Sequence, residues 1–108
     1  MAKKQIYLFC EAGMSTSIMV NKMMQVVEKN NLPLEITAFP VARAQEVVEQ
    51  EKPIAILLGP QVRFLLDKVQ KQFADLNIPI GAIDSATYGM MDGEKALKDT
   101  LKMIKANK

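Results

Sequence analysis

The sequence predicts a single α/β domain, residues 1–108, in which a four-stranded parallel open sheet carries helices on both faces in the order βαβαβαβα. Three observations predict it. Four short apolar runs alternate with four longer stretches of helical spacing, a pattern that favours parallel strands joined by right-handed crossovers. The length of 108 residues suits one core, and a chain of that size can bury about two-thirds of its unfolded surface. With 49% hydrophobic and 24% charged residues, the composition is that of a globular protein, and no linker, repeat or low-complexity stretch divides it.

Gln5 to Phe9 is the first strand candidate, apolar and followed by turn-forming residues. The first helix should begin within Ser15 to Ser17, whose hydroxyls can accept from free backbone N–H groups, and run to Lys29 before Asn30-Asn31. Leu34 to Ala38 is the second strand. Proline suits a first helical turn, so the second helix is expected to start at Pro40 and to end before Pro53. After a third strand, Ile54 to Leu58, comes the clearest helix, Gln61 to Phe73, with Val62, Leu65, Leu66, Val69 and Phe73 on one face at i, i+3, i+4, i+7 and i+11. The fourth strand, Ile80 to Ile83, precedes a last helix from Gly93 to Ala106, with Leu97, Leu101 and Ile104 on one face and Asp92 placed to cap its start. Met19, Met23 and Met24 are expected in the core, Met90 and Met91 to be locally buried, and Lys95, Lys98, Lys102 and Lys105 to form a solvated face.

One cysteine and no histidine remove whole classes of chemistry. An internal Ser/His/Asp or Cys/His unit, a histidine-ligated metal and an imidazole-held haem are excluded. A single sulfur forms neither an internal disulfide nor a Cys-x-x-Cys site. Fourteen Lys and Arg are scattered among twelve Asp and Glu, a net charge of +2, so no nucleic-acid partner is expected. The longest apolar stretch, Ile54 to Leu58, falls far short of the roughly 20 residues that cross a bilayer. Met1-Ala2-Lys3-Lys4 leads straight into the first strand without a signal-peptide pattern, which predicts a cytoplasmic protein, and the size and lack of a zipper predict a monomer.

In open sheets of this kind ligands gather beyond the carboxyl ends of the strands, and the lone cysteine stands at the first of those ends. Cys10-Glu11-Ala12-Gly13-Met14-Ser15-Thr16-Ser17 leaves a strand and opens a helix. Helix N-terminal N–H groups lack intrahelical partners and the macrodipole adds roughly half a positive charge there, so an anion is favoured. Gly13 allows successive N–H groups to turn inward, and the hydroxyls of Ser15, Thr16 and Ser17 add donors. An isolated cysteine at a strand end is usually a small buried hydrophobe, but packing alone does not call for these donors. Cys10 is thus the candidate nucleophile and residues 11–17 the phosphate-binding loop, while the Glu11 carboxylate opposes negative charge on the sulfur.

Taken with Ile6-Tyr7-Leu8-Phe9-Cys10, Ala38-Phe39-Pro40, Leu57-Leu58-Gly59-Pro60-Gln61, Ile83-Asp84-Ser85, Tyr88-Gly89 and Asp92-Gly93, the loop resembles that of the IIB component of bacterial sugar phosphotransferase systems of the lactose/cellobiose family. The resemblance covers nearly the whole chain. It implies a phosphotransferase in which Cys10 accepts a phosphoryl group from phosphohistidine on a IIA component and passes it to a β-disaccharide of the cellobiose, chitobiose or lactose type held by a membrane IIC component. It further implies a cytoplasmic protein that meets the membrane through that permease, with no metal or other cofactor, since the donor is already activated. Glu11 departs from the small residue that cellobiose-type members often carry. Pro60, Gln61, Asp84 and Tyr88 are candidate rim residues, with Asp84 leaning to a turn-forming role beside Ser85.

The same geometry is similar to low-molecular-weight tyrosine phosphatases and arsenate reductases, whose loop is Cys-x5-Arg. Here the sixth residue after Cys10 is Thr16. Without an arginine to clamp the equatorial oxygens much transition-state stabilisation is missing, which favours a carrier over a phosphatase. A response-regulator-like domain ranks lower, because Asp84 lacks clustered carboxylates and the chain is one strand short.

Overall fold

Strands and helices alternate because the apolar spacing alternates between periods of two and 3.6 residues. The computed structural model describes residues 3–11 and 14–107, without the side chains of residues 14–16. Its elements are β1 (Lys4–Cys10), α1 (Met14–Lys29), β2 (Leu34–Pro40), α2 (Ala44–Gln50), β3 (Ala55–Leu58), α3 (Leu66–Gln72), β4 (Ile80–Ala82), α4 (Ser85–Gly89) and α5 (Gly93–Ala106). The four strands are all parallel and lie in the order β2-β1-β3-β4.

Side-chain alternation along β1 divides the core in two. Ile6 and Leu8 pack with Met19, Met23 and Val27 of α1 and with Ala96 and Leu97 of α5. Tyr7 and Phe9 face the other way, toward Val47 and Val48 of α2 and Val69 of α3. Helices α1 and α5 therefore cover one face of the sheet and α2 and α3 the other. Met19 and Met23 are fully buried and Met24 partly so, while Lys95, Lys98, Lys102 and Lys105 are exposed.

Local chemistry sets the boundaries. Helix α1 ends where Asn31 takes the left-handed conformation, φ 54°, with Leu32 N–H donating to the Val27 carbonyl and Asn31 N–H to that of Glu28. This is the Schellman closure, which asparagine tolerates because its short polar side chain eases the left-handed backbone. Asp92 caps α5 by accepting from Lys95 N–H at 3.0 Å.

Three expectations about elements are corrected. Pro40 ends β2 instead of opening a helix: its backbone is extended (φ −60°, ψ 140°), a 3-10 turn over Val41–Arg43 follows, and α2 begins at Ala44. The proline is tolerated because β2 is an edge strand. The helix expected over Gln61 to Phe73 is broken, a 3-10 stretch Pro60–Leu65 with non-helical Val62 (φ −120°, ψ 19°) preceding α3. The predicted face survives the break, with Val62, Val69 and Phe73 buried. Met90, expected to be buried, is 78% exposed, whereas Met91 packs against the core. The five-residue α4 is too short to show a helical period in sequence.

Asp84 opens that helix. Its carboxylate accepts from Thr87 N–H at 3.0 Å and from the Thr87 hydroxyl at 3.2 Å, and the backbone bond to Thr87 foremost holds the carboxyl below its ordinary range. A carboxylate with a depressed folded-state value stabilises the fold above its unfolded value and loses that contribution as pH falls through the folded value. The stability difference between wild type and Asp84→Asn is thus expected to be constant from neutral pH down to about pH 5 and to shrink below about pH 4, as read by urea unfolding at stepped pH.

Gly93 sits where α5 meets α1: a Cβ there would lie 2.5 Å from the Lys22 carbonyl carbon and 2.7 Å from its oxygen. Gly93→Ala should destabilise by about 1–3 kcal/mol, as overpacking against backbone does. Gly89→Ala, where nothing lies within 4 Å, should be neutral to stabilising by up to about 1 kcal/mol, both read from chemical denaturation.

Candidate functional site

Cys10 is the last residue of β1 and is paired opposite Pro40 on β2. It is 3% exposed, and its thiol is directed at the Phe39 carbonyl across 3.9 Å, a long and weak contact. On the other side Phe9 pairs with Leu58 of β3, and Gly59 N–H donates to the Phe9 carbonyl at 2.9 Å. The cysteine thus ends a strand that is hydrogen-bonded from both sides nearly to its last residue.

Helix α1 begins at Met14, four residues after the thiol and one before the expected start. Its sixteen residues give the N-terminal end the positive end of the helix dipole. Glu11 and Ser17 are exposed. Ala12 and Gly13 of the expected loop lie outside the described residues, as do the side chains of Met14, Ser15 and Thr16.

The topology adds what periodicity did not contain. Helix α1 leaves β1 toward one face of the sheet and α3 leaves β3 toward the other. Adjacent strands whose following helices diverge in this way open a crevice at their carboxyl ends, where ligands of doubly wound sheets bind. Cys10 on β1 and Gly59-Pro60-Gln61 after β3 border that crevice. Strand order, which a single sequence does not display, is the missing signal.

The four candidate rim residues fall in different settings. Gln61 is exposed, and its Oε1 lies 3.0 Å from the point a Gly59 Cβ would occupy, a point 3.9 Å from Cys10 Cβ. Pro60 is half-buried at the start of the 3-10 stretch. Asp84 is occupied as the cap of α4. Tyr88 is 6% exposed and packs with the core on the α1 and α5 face. Arg43, not singled out from sequence, stacks over the Phe39 ring at 5.6 Å and pairs with Glu46 at 3.1 Å.

The large apolar side chains most exposed among the described residues are Met90 (78%), Phe64 (76%) and Ile18 (51%). They belong to segments that follow β4, β3 and β1 respectively. Among the described residues no group of three or more cysteine or acidic side chains could hold a metal ion, and no helix is long and apolar enough to cross a membrane.

Residues 5–99 match the family model described as PTS system, Lactose/Cellobiose specific IIB subunit. The chain is 39% identical over 101 residues to the oligo-beta-mannoside-specific EIIB component of Bacillus subtilis, covering 94% of this chain and 96% of that one. It is 40% identical over 100 residues to the cellobiose-specific EIIB component of Lactococcus lactis subsp. lactis, covering 90% and 93%, with the same figures for the galactose-specific EIIB component of Lactococcus lactis subsp. cremoris. Among solved structures, the cellobiose-specific phosphotransferase IIB component of Borrelia burgdorferi superposes with a TM-score of 0.78 at 32% identity, covering 98% of this chain and 95% of that one. The lactose-specific IIB domain of Streptococcus pneumoniae, at 16% identity and a TM-score of 0.82 over 94% and 97%, shares the fold. Matched along nearly its whole length by sequence and by fold, the chain belongs to the lactose/cellobiose-specific IIB subunit family of the sugar phosphotransferase system.

Proposed function

We propose that this protein is the phosphocysteine carrier between a IIA component and a membrane IIC component in uptake of a β-linked sugar, with Cys10 as the acceptor. The observation that carries the reading is the place of the thiol: it ends the strand that borders the crevice and stands four residues before a sixteen-residue helix begins. The Cys10 sulfur attacks phosphorus in line while the P–N bond to the donor imidazole breaks and its electron pair returns to nitrogen. The thiol proton leaves to solvent or to the departing imidazole. Backbone N–H groups at the start of α1 would hold the phosphoryl oxygens. In the second transfer a sugar hydroxyl attacks phosphorus as the P–S bond breaks and its electron pair returns to sulfur, and the hydroxyl proton passes to the departing thiolate or to solvent.

The relatives named above serve oligo-β-mannosides, cellobiose and galactose, which supports a small saccharide as the final acceptor, held by the membrane component. A carrier must be reached by two partners in turn at one end. Met90, Phe64 and Ile18, exposed on the segments that leave β4, β3 and β1, supply apolar contact area there. The reading places the protein in the cytoplasm, bound peripherally to its permease while it transfers.

Incubation with a phosphorylated lactose/cellobiose-type IIA protein should add one phosphoryl mass to the intact chain, with the acid and alkali lability of a thiophosphate. No addition, or an addition of the same lability in Cys10→Ser, would sink the proposal. Phe64→Ala should leave unfolding within about 0.5 kcal/mol of wild type, as exposed substitutions do. It should raise the KM for phosphorylated IIA severalfold, measured by phosphoryl-acceptance kinetics.

A further inference from the structure

We infer that the Gln61 carboxamide binds the phosphoryl group while it resides on Cys10, an inference that rests on the reading of Cys10 as the acceptor. Gly59 is the key. Its backbone (φ −66°, ψ 157°) is one that any residue adopts, so the chain conformation does not demand glycine. What glycine leaves open is space: a Cβ would stand 3.0 Å from Gln61 Oε1, with the Phe9 carbonyl oxygen at 3.8 Å and Cys10 Cβ at 3.9 Å in ordinary contact. The Gln61 head group and the Cys10 side chain therefore flank the same small volume at the mouth of the crevice between β1 and β3. Sγ itself is turned toward the Phe39 carbonyl at 3.9 Å, so a group carried on it would reach that amide by rotation of the Cys10 side chain about its Cα–Cβ bond toward the Gly59 side.

The backbone that presents Gln61 is firmly held. Gly59 N–H donates to the Phe9 carbonyl at 2.9 Å, Val62 N–H donates to the Gly59 carbonyl at 3.0 Å, and Val62 is 2% exposed. The Gln61 side chain is exposed, so the amide is open to a ligand. Oε1 is the amide atom that faces this volume, so the carboxamide would turn over about its last side-chain bond to present Nε2, whose two donors suit a phosphoryl oxygen, and the group is neutral at every pH. It would complement the N–H groups of α1 from the opposite wall of the crevice.

The test combines a contact and a rate on the full chain, with a phosphorylated lactose/cellobiose-type IIA protein as the donor. The side-chain amide resonance of Gln61 in 15N-labelled protein should move when Cys10 is phosphorylated. Gln61→Ala should accept the phosphoryl group about tenfold more slowly, the effect of one hydrogen bond to a charged group. Gly59→Ala, whose methyl displaces the head group without removing it, should fall between. An unmoved amide, or Gln61→Ala phosphorylated at the wild-type rate, overturns the inference while the acceptor reading stands. Wild-type protein that gains no phosphoryl group overturns both. Because the resonance is read on wild-type protein, that result does not depend on a variant folding.

Discussion

The site depends on the carboxyl end of β1 being held from both sides. β1 pairs with β2 through Cys10 and with β3 through Phe9, so it has no free edge to fray or to recruit another strand. Its register is fixed by the core as much as by the ladders. A slip of one residue would send Ile6 and Leu8 to the α2 and α3 face and Tyr7 and Phe9 to the α1 and α5 face, exchanging side chains between two packed layers. Cys10 inherits its position from those apolar choices, and the reactive end is well defined because the buried middle cannot move.

The helices convert that fixed end into a directed one. Right-handed crossovers carry β1 to β2 in one direction and β2 to β3 to β4 in the other, and the helices therefore divide between the faces. Helix α1 is held against α5 where Gly93 lets the two backbones approach at Lys22. That contact anchors the middle of α1, and since the helix is one rigid rod its first turn is anchored with it. The positive end of a sixteen-residue helix and the end of β1 are thus tied to a common frame.

Most of the fold is legible in the sequence because burial here follows simple periods. Val62, Val69 and Phe73 reveal their face even though the helix through them is broken, since a 3-10 stretch rotates side chains only gradually away from the α-helical phase. Asp92 announces its cap because a capping carboxylate acts on the N–H group three residues on. Pro40 misleads because proline is equally at home in a first helical turn and at the end of an edge strand, and only the strand order tells which applies. Likewise Cys10 stands out by its neighbours in sequence, whereas the relation of Gln61 to it runs through Gly59 and the pairing of β1 with β3. That is a juxtaposition of residues fifty-one positions apart, which no local pattern encodes.

Neutral donors suit a carrier for a reason that follows from the two transfers it makes. A phosphoryl group that arrives must also leave, and every 1.4 kcal/mol by which the carrier holds the intermediate more tightly than the flanking transition states slows its departure about tenfold. An arginine fork would bind the charged oxygens strongly and would stabilise attack by water as readily as attack by a sugar hydroxyl. Backbone N–H groups and a carboxamide give orientation with smaller binding energy. On the proposed reading, the absence of an arginine six residues after Cys10 and the absence of histidine anywhere in the chain belong to one design: the partners supply the imidazole that delivers the phosphoryl group and the hydroxyl that takes it, and this chain keeps the thiophosphate only as stable as the second transfer allows.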